Sequence, residues 1–169
     1  MVPDLSFDNI APVHVNAGRV RVIDRYRSPM AAPNVEYLFP QPPEAAAHDL
    51  IAAKIVPDGV PDRILRVYID DASVVGKTVS PDDGVMGVFR AAPGMTHHAR
   101  LSLRFELADR AAPDIVLGHA DIVAERDLTL PHGVSPNERN MAFFEMEEHL
   151  LKDAGDSLKT VVGGTFGRR

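Results

Sequence analysis

Apolar and polar residues alternate most cleanly between His98 and Leu107. Ala99, Leu101, Leu103, Phe105 and Leu107 fall on one side, and His98, Arg100, Ser102, Arg104 and Glu106 on the other. A period of two over this length predicts a strand with one face on a core and one in water. The same period appears at Leu65, Val67 and Ile69, where it runs on through Ala72 to Val75 after a phase change at Asp70-Asp71, and again at Ala120, Ile122 and Ala124. With turn residues at Asp109–Pro113, these three strands predict an antiparallel meander. An earlier strand, Val13 to Asp24, changes phase at Gly18, which predicts a bulge or kink there.

Two segments follow the helical period instead. Pro42-Pro43-Glu44 opens the first, with Ala46, Leu50 and Ala53 on one face and Pro57-Asp58-Gly59 as its stop. Ser135-Pro136-Asn137-Glu138 opens the second and has the spacing of a capping box, serine at the cap and glutamate at the third helical position. Phe143, Met146, Leu150, Ala154 and Leu158 form its apolar stripe, and Gly163-Gly164 is its expected end. The element order β-α-β-β-β-α predicts a two-layer α+β fold: a mostly antiparallel four-stranded sheet with two helices on one face. The expected division is a tether over 1–11, one domain over 12–162 and a flexible tail over 163–169.

Five prolines between residues 25 and 43 exclude regular structure there, yet the stretch carries the apolar run Val35-Glu36-Tyr37-Leu38-Phe39. Val85-Met86-Gly87-Val88-Phe89 lies in a second expected loop over 80–95. Apolar loop residues either fold back onto a sheet or form a docking patch. Val35, Tyr37, Leu38, Phe39, Val88 and Phe89 are therefore the candidate partner-binding residues.

Composition narrows the chemistry. The 169 residues carry 24 acidic and 18 basic side chains, a net charge of -6, which argues against general nucleic-acid binding. With no cysteine there is no disulfide, thiolate metal site or cysteine nucleophile. No Gly-x-Ser-x-Gly elbow and no phosphate-cradling glycine loop occurs, so no catalytic residue and no cofactor is expected. Asp82-Asp83-Gly84 has too few ligands for a calcium loop and is expected as a solvated turn. One alternative uses histidine: His97 or His98 with His119 and an acidic neighbour, with His98, His119 and Asp121 as the candidate metal set of a small ligand-binding or hydrolase-like enzyme. Adjacent strand residues face opposite ways, so His97 and His98 are not expected to share an ion.

The element order, a kinked first strand, a Pro-rich loop, a helix, a meander and a long final helix, resembles the auxiliary lipoproteins of bacterial ABC-type and lipid-transport systems, whose small domain is similar to the N-terminal domain of TolB-like envelope proteins; the stretch from Ala32 to Pro40, the helix after it and the strand from Arg66 to Val75 look like a set of proteobacterial lipoproteins associated with them. The resemblance spans about residues 12–162 and carries over no catalytic residue. It implies a non-enzymatic periplasmic protein, membrane-anchored through an N-terminal segment, docking on a protein partner in lipid transport or envelope maintenance, with lipid as a second candidate partner. Such a lipoprotein has a lipidated cysteine and this chain has none, which fits a chain trimmed after its anchor as well as one that never had it. A third reading is a cytosolic module that oligomerises through a sheet edge.

Overall fold

The computed structural model describes residues 1–79 and 94–167. Its strands are β1 (Val13–Val15), β2 (Arg19–Asp24), β3 (Ile55–Pro57), β4 (Arg63–Val79), β5 (Gly94–Asp109) and β6 (Val116–Pro131). Its helices among the described residues are α1 (Pro43–Lys54), α2 (Pro136–Ser157) and α3 (Gly163–Phe166), with a 3-10 turn over Glu36–Leu38. The expected two-layer α+β fold is present. A four-stranded sheet runs in the order β2-β4-β5-β6, and α1 and α2 pack on one core with it.

β4, β5 and β6 form the antiparallel meander, with Leu65 opposite Leu107 and Leu103 opposite Ile122. The phase change at Asp70-Asp71 is a bulge, seen as a register shift between Ile69 and Asp71. The kink near Gly18 goes further than a bulge and divides the first strand. β1 pairs in parallel with β3 as a separate two-stranded sheet, whereas β2 pairs in parallel with β4. A Cβ on Gly18 would lie 2.6 Å from the Val60 carbonyl oxygen, so only glycine lets the two chains cross here. The Gly18 amide instead donates to the Arg63 carbonyl at 2.9 Å.

α1 starts on Pro43 as expected but ends at Lys54, ahead of Pro57-Asp58-Gly59. Ile55 passes straight into β3 because pairing with Val13 takes up its backbone. The capping box of α2 is complete, with Ser135 accepting from the Glu138 amide and Glu138 from the Ser135 amide.

Both chain ends depart from expectation. Ile10, placed in the tether, is buried and packs its side chain over Gly155 of α2. Beyond Ser157 the chain continues through a π-helical turn, Leu158–Val162, into α3. Leu158, Val162 and Phe166 are all buried, and the Phe166 carbonyl accepts from the Asn16 amide at 2.9 Å. Gly163 and Gly164 are tolerated inside the helix because burial of Phe166 outweighs their cost, about 1 kcal/mol each.

Candidate functional site

The apolar loop splits into two sets of side chains. It is stitched to β4 by the Val35 amide on the Val74 carbonyl and the Gly76 amide on the Pro33 carbonyl, both at 2.8 Å. Within it the Glu36 carboxylate is buried. It accepts from the Tyr26 hydroxyl, from Asn34 Nδ2 at 3.2 Å and from the Val74 amide at 3.1 Å. Burial alone would raise the Glu36 pKa, but these donors outweigh it and hold the carboxyl below its ordinary value. Desolvation, reinforced by the Glu36 charge, pushes the Tyr26 phenol up.

Val35 and Phe39 are core residues, 8% and 5% exposed, and so are not available to a partner. Phe39 stacks on Phe143 of α2 with ring centroids 4.4 Å apart. A 3-10 turn carries i and i+3 on the same side, which sends Glu36 and Phe39 inward together, while Tyr37 and Leu38, 37% and 38% exposed, face out. Val88, Phe89 and the Asp82-Asp83 turn lie outside the described residues.

The structure separates the histidine set. In the β5–β6 register His98 stands opposite Asp127, Glu106 opposite His119 and Arg104 opposite Asp121. His98 and His119 are thus eight ladder steps apart, roughly 26 Å at strand rise. The candidate ligands His98, His119 and Asp121 do not converge, and neither do the catalytic pairs His97 or His98 with His119. The hairpin turns at Arg110–Ile115, so residues near in sequence to the turn meet one another rather than His98. His98 Nδ1 bonds Asp127 at 2.6 Å, which holds its pKa above the ordinary value.

That pair belongs to a lattice covering the open face of the sheet. Arg66 meets Glu106 at 3.3 Å, Arg104 joins Glu106 and Asp121 at 3.1 and 3.2 Å, and Arg100 meets Glu125 at 2.7 Å. Apart from the part-buried pairs of Glu106 with Arg66 and Arg104, these are exposed and contribute little stability singly. They do make this face charged and rule out an apolar groove upon it.

Three further groupings escaped the sequence reading. Asp24, Glu44 and His48 bring one donor atom each within 4.8 Å of one another, the set among the described residues able to hold a metal ion. His48 Nε2 already bonds Asp24 at 2.7 Å, and burial followed by the Asp24 charge raises the Glu44 pKa. The spacing of Glu44 and His48, one helical turn apart, was visible in the sequence; the arrival of Asp24 was not. On the core face of β5, His97 is 4% exposed and lines a cleft of about 180 Å³ with Met95, Leu130 and Arg139. Burial, and then the Arg139 charge, lower its pKa, against the pull of the Leu128 carbonyl. Glu147 of α2 is 1% exposed, and burial pushes its carboxyl up to about 8.

These features define an α+β protein with a charged sheet face and a rigidly held loop. No family model matches the chain, and no curated protein matches it. Among solved structures it is similar to a minor lipoprotein from Acinetobacter baumannii, at 8% identity and a TM-score of 0.47, over 92% of this chain and 98% of that one. It is also similar to a DUF330 protein from Xanthomonas campestris, at 13% identity and a TM-score of 0.42, over 97% and 93% of the two chains. A third likeness is to a provisional lipoprotein from Caulobacter crescentus, at 12% identity and a TM-score of 0.39, over 83% and 85%. None of the three is named as an ABC-type transport auxiliary or a TolB-like protein, and no residue role is transferred from them.

Proposed function

We propose that the chain is a non-enzymatic protein of the cell envelope that docks on a protein partner through Tyr37 and Leu38. The observation carrying this reading is the Glu36 network. A buried carboxylate with three donors is a costly way to hold a surface loop, and here it fixes a turn whose outward residues are one aromatic and one aliphatic side chain. Preorganised aromatic anchors lose little freedom on binding and tend to dominate interface energies. The periplasmic setting and a task in lipid transport or envelope maintenance rest on the resemblance at Ala32–Pro40 and Arg66–Val75.

The test is a Tyr37→Ser/Leu38→Ser double variant. Both side chains are more than one third exposed, so its melting temperature should stay within a few degrees of the parent. Capture from an envelope fraction of the native host should lose a specific partner band that the parent retains. Identical bands from parent and variant would remove the reading.

A further inference from the structure

The far end of the sheet, where β4 begins and the β5–β6 hairpin turns, holds a cleft of about 290 Å³ lined by Gly18, Arg19, Gly59, Arg63, Ile64 and Arg110, with Pro61 beside them. Its three arginines come from the start of β2, the start of β4 and the hairpin turn. They converge because Gly18 lets β2 cross the Val60–Arg63 loop, because Gly59 takes φ +81° in the turn before it, and because the Arg110 amide donates to the Asp62 carbonyl at 2.9 Å. The arginines in ion pairs are Arg25, Arg66, Arg100, Arg104 and Arg126; among the described residues Arg19, Arg63 and Arg110, like Arg21, Arg27 and Arg139, have no carboxylate partner, and the first three share one cleft. Asp62 and Asp109 line an adjoining hollow with Arg110. Asp109 is directed at its own turn, accepting from the Ala111 and Ala112 amides at 2.8 and 3.1 Å.

Beside this cleft the same hairpin exposes three consecutive apolar residues, Ile115 at 55%, Val116 at 44% and Leu117 at 50%. Guanidinium groups match phosphate oxygens bidentately, and a cationic site next to an apolar projection suits the boundary between headgroups and acyl chains. A soluble anion would use the arginines and leave the apolar tip unexplained, whereas a lipid uses both. We infer that this end of the protein is a membrane-docking surface, on which Arg19, Arg63 and Arg110 hold the phosphate of an anionic phospholipid while Ile115, Val116 and Leu117 enter the interface.

Cosedimentation of the full chain with vesicles of equal parts phosphatidylglycerol and phosphatidylcholine tests it. Binding should exceed that to pure phosphatidylcholine and weaken in high salt. Arg19→Gln/Arg110→Gln, both at exposed positions, should weaken partition roughly tenfold or more. Ile115→Ser/Leu117→Ser should weaken it independently, and thermal melts of both variants should match the parent. Equal binding to both kinds of vesicle overturns the proposal, as does an unchanged partition in the arginine variant. Binding of inorganic phosphate without vesicle binding overturns the lipid assignment. So does self-association in sedimentation velocity that the arginine variant abolishes while vesicles are ignored, because the cleft would then serve a second copy of the chain.

Discussion

At one end of the sheet the Asn34–Phe39 loop is pinned to β4 and α2 by a buried carboxylate and an aromatic stack, and it shows the surroundings two side chains. At the other end the β5–β6 hairpin and the Val60–Arg63 loop leave arginines without carboxylate partners and three apolar residues in the open. The first end spends interior contacts to keep a surface fixed. The second draws little on the interior, and its exposed residues serve the fold weakly. Substitutions should therefore cost stability at the loop end and leave stability alone at the hairpin end.

The largest expected effect breaks the stack. Phe39→Ala removes a 5% exposed ring from Phe143 and should cost about 4 kcal/mol in urea denaturation. A loss below about 1 kcal/mol would show that the loop is not part of the core. The second prediction concerns α2, which serves as backing for the loop end. The Glu147 carboxyl titrates near 4.5 when unfolded and near 8 when folded, so native stability falls as the pH rises between those values. Glu147→Leu should remove this slope and stabilise the protein by on the order of 3 kcal/mol at neutral pH. Melts at acid and neutral pH that differ equally in parent and variant would refute it.

Glu36→Gln comes third. It sets an amide donor against the Asn34 and Val74 donors and should cost about 2 kcal/mol. The folded Glu36 pKa is depressed, so its contribution is complete above the ordinary carboxylate range and is lost as the pH falls through the lower folded value. The variant should lose part of the parent's acid sensitivity, read as the pH midpoint of unfolding. Smallest of all, Ile115→Ser at the hairpin should change stability by no more than about 0.5 kcal/mol. A larger cost would end the contrast between the two ends.

Much of the fold was legible because its signals are local. The Ser135 capping box, the alternation of β5 and the bulge at Asp70-Asp71 each need only a few neighbouring residues. The division of the first strand was not legible, since it depends on β3 and β4 arriving in parallel from across α1. Nor was the fate of the Val35–Phe39 run, because the groups that draw Glu36 and Phe39 inward, Tyr26, Val74 and Phe143, lie outside it. The arginine cleft draws on three separate chain segments and is created by a backbone crossing at Gly18. His98 and His119 misled for the opposite reason, being near in sequence but on mismatched rungs of the hairpin.

The long strands have one more consequence. β4 advances about 3.3 Å per residue, so Arg63 and Val74 stand roughly 36 Å apart, and the ladders to β2 and β5 prevent that length from stretching. The sheet is in effect a ruler. A bilayer resting against Arg19 and Arg110 would sit at a set depth below a partner gripping Tyr37 and Leu38, and the bulge at Ile69/Asp71 sets the bend in that rod.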